Sequence, residues 1–205
     1  MIKEINSLQK EIGKQVNQRL KEFSSFSKKR NEEWFSEMCF CLLTANSKAA
    51  TAIAIQRELR AEGFMYCTKA QLSNCIRKNK HRFHNNKAKY ILSARKFTDI
   101  KDVLRGLKTS YEKRDWLVKN IKGLGYKEAS HFLRNTGSFD LAILDRHVLN
   151  LLVENRYIKE KPKALDKKKY LEIEEILSKI AKKLKMSQAE LDMYLWYLKT
   201  GEVLK

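Results

Sequence analysis

Turn-forming residues are scarce in this chain: 205 residues hold 7 glycines and one proline, Pro162. Tight strand-to-strand turns depend on those residue types, so a fold of many short strands has little to turn on. Alternating β-branched runs are absent too. Apolar residues recur at steps of three and four instead, which predicts an all-α protein. With 43% hydrophobic and 10% aromatic residues, the chain has enough material for a sizeable core and is not a disordered polymer.

The first stripe is Ile2, Ile5, Leu8, Ile12, Val16, Leu20 and Phe23, one face of a helix over 2–23, followed by a polar break at 24–30. Asn31 with Glu32 and Glu33 behind it reads as a helix start, a cap with two acids at the positive end of the dipole. That helix, to about Ala45, is apolar on most sides and belongs at the centre of the core. Further helices are expected at 47–61, 69–78, 85–96, 99–107, 110–120 and 127–135. Thr68 with Gln71, and Ser187 with Glu190, are capping boxes. The segment 167–184 carries Leu171, Ile173, Ile176, Leu177, Ile180 and Leu184 inward, and the linker-like stretch before it, 159–168, holds the lone proline.

Lysine and arginine number 43 against 24 acidic residues, a net charge of +19. Such an excess resists self-association and attracts a polyanion, nucleic acid first and an anionic membrane second. The charge excess points to a monomer, and the N-terminal stretch without a signal-peptide core, with no apolar run of membrane-spanning length, points to the cytoplasm. Cys39, Cys41, Cys67 and Cys75 fit no zinc or iron–sulfur spacing and read as buried, reduced thiols, so neither a metal nor a cofactor is expected.

Two glycines stand two apart in Ile121-Lys122-Gly123-Leu124-Gly125, between a helix ending at Asn120 and another starting at Lys127. Helix, I-x-G-x-G turn, helix is the pattern of a helix-hairpin-helix DNA-binding element. Its glycines let backbone N–H groups approach a phosphate, while Ile121 and Leu124 plug the turn into the core. Gly123, Gly125 and Lys122 are therefore candidate contacts to the DNA backbone, which position a protein without reading sequence. Eighteen residues after Lys127 comes Asp145, followed by Arg146-His147-Val148. Taken alone, Asp145 reads as an N-cap worth about 1 kcal/mol, and Lys127 as one more solvated cation.

Together with the hairpin they resemble the helix-hairpin-helix–Gly–Asp superfamily of DNA glycosylases. Gly137 and Asp145 match its Gly…Asp signature, and Lys127 stands where bifunctional members carry a lysine nucleophile. The segments 122–135 and 144–148, the stretch 41–53 and the C-terminal lysine look like the second, archaeal-type class of 8-oxoguanine DNA glycosylase/lyase. The four-cysteine cluster of the endonuclease III relatives is absent. The resemblance implies two helical lobes, 31–134 ending in the hairpin and 1–30 with 135–205, with a lesion pocket between them. It also implies that Phe83 and Trp196 sandwich the flipped purine of a duplex containing oxidised guanine, and that Lys205 contacts that base.

Chemically, an extruded base leaves through an oxocarbenium-like sugar, which a carboxylate such as Asp145 can stabilise. A neutral amine can attack the anomeric carbon, form a Schiff base and allow strand cleavage by β-elimination. The helix N-terminus and Lys122 disfavour a charged amine at Lys127, and an ionised Asp145 nearby would favour it. A related glycosylase for another damaged base and a non-catalytic DNA-binding protein are the competing readings. Arg82, Arg134 and Arg146 are candidate phosphate or opposite-base contacts, and Asn46 a candidate DNA contact. His131 and His147 are expected to be packed or phosphate-facing rather than acid–base groups. Most of the lysines form a diffuse field, so DNA binding should fall steeply with salt.

Overall fold

The computed structural model describes residues 1–205, of which 72% are helical, with no strands. No helix is long and apolar enough to cross a membrane. Eleven α-helices follow one another: α1 (Ile2–Phe26), α2 (Asn31–Thr44), α3 (Ala49–Tyr66), α4 (Lys69–Lys78), α5 (His84–Ala94), α6 (Ile100–Arg105), α7 (Ser110–Asn120), α8 (Tyr126–Asn135), α9 (Arg146–Glu154), α10 (Lys167–Leu184) and α11 (Gln188–Thr200). They form two compact units, one of Lys28–Phe132 and one of Met1–Ser27 with Leu133–Lys205.

In the first unit α2 is the hub, packed by α3, α5 and α6. Every residue from Trp34 to Thr44 is buried, as expected for a segment apolar on most sides. Its start differs from the sequence expectation. Arg30 occupies the cap position, and Glu33 accepts the Arg30 N–H at 3.0 Å. Asn31 instead ties α2 to α6, accepting the Lys101 N–H at 3.0 Å and donating to Asp102 at 2.6 Å. A long-range partner outcompetes the local cap. The expected end of the third helix near 61 marks a break rather than a terminus: Arg60 adopts φ 53°, and α3 resumes through Tyr66.

In the second unit α11 packs against α1, α9 and α10. The buried face of α1 is Ile5, Leu8, Ile12, Val16 and Phe23. A buried ion pair links Arg134 to Asp192, and the Arg134 guanidinium also lies over the Phe23 ring at 4.9 Å. Arg134, at 3% exposure, is thus withdrawn from any phosphate. The sequence expectation of a phosphate or opposite-base contact at Arg134 is thus corrected: a carboxylate distant in sequence holds the guanidinium inside the fold.

Candidate active site

The turn between α7 and α8 is built as a plug. Ile121 and Leu124 are buried, and the Leu124 N–H donates to the Ile121 carbonyl at 3.1 Å, closing the turn. Gly123 has φ +96°, and a Cβ there would fall 2.5 Å from the Tyr90 ring of α5. Glycine is demanded twice over, by backbone conformation and by the aromatic ring packed on it. Gly125 is different. Its N–H donates to Glu128 Oε2 at 3.3 Å, so a carboxylate already sits on this turn donor. Lys122 is exposed beside them.

Lys127 is the second residue of α8, half-buried, with Nζ 3.2 Å from Glu128 Oε1. One carboxylate therefore serves both the turn and the amine. A second lysine belongs to the same neighbourhood. Lys87 of α5 is only 4% exposed and donates through Nζ to the Leu42 carbonyl at 2.6 Å. Burial, with the Lys127 charge adding to it and the Glu128 charge opposing it, pushes the Lys87 amine down to about 8.

Asp145 arrives by a different route. Gly137, at φ +102°, turns the chain out of α8. The irregular segment that follows buries Leu141 to Leu144. Buried backbone outside a helix needs partners for its polar groups, and α10 supplies them. Glu174 accepts the Ala142 N–H at 2.8 Å, while the Tyr170 hydroxyl donates to the Ala142 carbonyl at 2.8 Å and accepts the Leu144 N–H at 3.3 Å. Delivered this way, Asp145 caps α9: its Oδ1 accepts the His147 and Val148 N–H groups, both at 2.8 Å. The cap predicted from sequence is present, and it fixes the carboxylate through Oδ1.

Among the candidate base contacts, Phe83 is 41% exposed, the most open of the three. Its N–H donates to His81 Nδ1 at 3.2 Å, and the other ring nitrogen of His81 meets the Leu43 carbonyl at 3.0 Å. Nδ1 must then be the acceptor and Nε2 the donor, which is neutral imidazole; burial likewise pushes the His81 ring toward neutrality. The Arg82 guanidinium lies 5.3 Å from the Phe83 ring centroid. Trp196 is half-buried, edge-on to His147 with centroids 5.5 Å apart, and its Nε1 is buried with no hydrogen-bond partner. Lys205, the last residue, is partly covered.

His131 is buried against Phe40, centroids 5.7 Å apart, in the packed role expected of it. Arg146 is exposed, with Nε 3.4 Å from His147 Nε2, and Asn46 is exposed with φ 60°. The four cysteines are free thiols: Cys39, Cys41 and Cys75 are buried and Cys67 is half-buried. Burial pushes Cys75 up to about 11 and Cys39 higher still, so both are inert. Sequence reasoning missed Lys87, Tyr90, Glu128, Tyr170 and Glu174. The i, i+4 spacing of Tyr170 and Glu174 on the inward face of α10 was the one available signal.

The family model for 8-oxoguanine DNA glycosylase matches residues 16–186. The 8-oxoguanine DNA glycosylase/AP lyase of Methanocaldococcus jannaschii is 49% identical, covering 100% of this chain and 99% of that protein. Its Thermotoga maritima counterpart is 42% identical, covering 99% and 98%. The crystal structure of the M. jannaschii glycosylase/lyase in complex with 15mer DNA containing 8-oxoguanine superposes with a TM-score of 0.97, covering 100% of this chain and 99% of that one. A glycine turn opening the helix of Lys127, and a capping aspartate held by α10, thus lie within a sequence alike from end to end. The chain belongs to the 8-oxoguanine DNA glycosylase family.

Proposed function

We infer that this protein excises 8-oxoguanine from double-stranded DNA and then cleaves the strand 3′ to the abasic site. The observation that carries this reading is the full-length likeness, at 49% identity, to a glycosylase/AP lyase whose crystal structure holds DNA containing 8-oxoguanine. Lys127 is the nucleophile. Its neutral amine attacks the anomeric carbon as the glycosidic bond breaks, and the purine departs with the bonding electrons and takes up a proton. Loss of the amine's proton and opening of the sugar ring leave an iminium joining Lys127 to the deoxyribose. Removal of a C2′ proton then expels the 3′ phosphate by β-elimination. Asp145, its Oδ1 occupied by two N–H groups, stabilises the oxocarbenium-like sugar and takes the amine proton.

Phe83 and Trp196 sandwich the extruded purine, and Lys205 contacts it. Gly123, Gly125 and Lys122 track the phosphate backbone, with the +19 charge supplying a diffuse attraction. Amine and carboxylate suffice for every step, so the chemistry calls for no cofactor. Chromosomal DNA in a prokaryotic cytoplasm is the site of action.

Borohydride trapping across duplexes bearing 8-oxoguanine, other oxidised or alkylated bases, and undamaged guanine tests the substrate. The covalent adduct should be strongest on 8-oxoguanine and lowest on guanine. A stronger adduct on another lesion would reassign the substrate, and tight binding with no adduct on any duplex would make this a DNA-binding module.

A further inference from the structure

Lysine is rarely buried unless something holds its charge, yet Lys87 is 4% exposed. One partner is structural. Nζ donates to the Leu42 carbonyl in the last turn of α2, where carbonyls lack intrahelical donors and the helix dipole favours a cation. The other relationship is with the hairpin. Tyr90, three residues along α5, lies against Gly123, so the face shared by Lys87 and Tyr90 is the one packed on the turn that opens α8. At the start of α8, Glu128 pairs with Lys127 Nζ at 3.2 Å and accepts the Gly125 N–H. The charges of both Glu128 and Lys127 reach Lys87, in opposite senses.

We propose that Glu128 and Lys87 are positioning residues that set the charge of the Lys127 amine from opposite sides. This rests on the reading of Lys127 as nucleophile. Glu128 holds the ammonium against the hairpin, and Lys87, a buried like charge, opposes it. Glu128 touches Lys127 and its charge also reaches Lys87, so the two lysine charges and the one carboxylate act on one another. Exposed Lys122 in the turn adds to the opposing side, weakened by solvent. Glu128 thereby orients the amine beside the hairpin turn.

The test is the pH dependence of single-turnover trapping on an 8-oxoguanine duplex, whose rising limb reports loss of the amine proton. Lys87→Met removes the opposing charge, and its limb should move up by about half a pH unit. Glu128→Gln removes the holding charge while keeping an acceptor for Gly125, and its limb should move down by about one pH unit. Opposite displacements are a signature that a packing defect does not produce. Thermal melting checks that each variant folds. Should Lys87→Met prove unfolded, Glu128→Gln decides alone, because glutamine matches glutamate in size and keeps an acceptor for the Gly125 N–H. Slower trapping with the limb unmoved in the folded variants, while Lys127→Gln abolishes the adduct, overturns this inference and spares the nucleophile. An adduct that survives Lys127→Gln overturns both.

Discussion

Replacing Asp145 by asparagine and by alanine separates its observed cap from its proposed part in the chemistry. The carboxylate caps α9 through two 2.8 Å bonds, from the His147 and Val148 N–H groups to one oxygen, Oδ1. An asparagine amide oxygen can occupy that position, and asparagine ranks with aspartate as an N-cap. Asp145→Asn should therefore cost no more than about 0.5 kcal/mol. Alanine strands both donors, and the loss of such a cap costs about 1–2 kcal/mol. For a chain of this size that lowers the melting midpoint by about 2–8 °C.

Activity should sort the other way. Both variants lack the negative charge proposed to stabilise the sugar cation, so both should lose base release by about 100-fold or more. Single-turnover release from an 8-oxoguanine duplex, measured beside a thermal melt and a DNA-binding titration, reads all three quantities. The expected pattern is native melting, native binding and slow release for asparagine, and the same slow release with reduced melting for alanine. Native release by Asp145→Asn would refute the reasoning, and so would an asparagine variant as destabilised as the alanine one.

Gly123→Ala meets both a left-handed backbone and the Tyr90 ring 2.5 Å from the new Cβ, whereas Gly201→Ala meets a positive φ with nothing within 4 Å. Urea denaturation should show a loss of about 1 kcal/mol at Gly201 and clearly more at Gly123, part of it recovered by a smaller residue at position 90. Tyr170→Phe leaves the buried Ala142 carbonyl and Leu144 N–H without their hydroxyl partner, and should cost about 1–3 kcal/mol by the same assay. Lys87 contributes a pH dependence whose sign is set by burial, which lowers its folded value from 10.5 to about 8. Between those values the unfolded chain holds a proton that the folded chain has released, so the stability of the native chain relative to Lys87→Met should rise with pH across that window. Urea midpoints measured from pH 7 to 10.5 check it.

What the sequence showed and what it hid follow from the range of the interactions. The ranges of α7, α8 and α10 were legible in the sequence, and so were the Thr68 box and the Asp145 cap, because a cap is a local interaction. Apolar plugs such as Ile121 and Leu124 were legible too, since a buried turn residue must be apolar. The inward face of α10 was only half read. Leu171, Ile176 and Leu184 are less covered than Tyr170 and Glu174, whose polar atoms pair with backbone about 30 residues away in sequence. Periodicity assigns such residues to solvent because it cannot see the partner. Lys87, Asn31 and Arg134 misled for the same reason, each held by a group distant in sequence. The turn's need for glycine at Gly123 was legible, but half of that need comes from a ring on another helix.

The central claim is that one lysine among 43 basic residues makes the covalent bond to DNA. Borohydride trapping on an 8-oxoguanine duplex with wild-type protein and Lys127→Gln tests it most directly, with tryptic mapping of the adduct. An adduct on the Lys127 peptide is expected in the wild type and none in the variant, which should still bind the duplex. An undiminished adduct in Lys127→Gln, or one mapped to another lysine in the wild type, would contradict it.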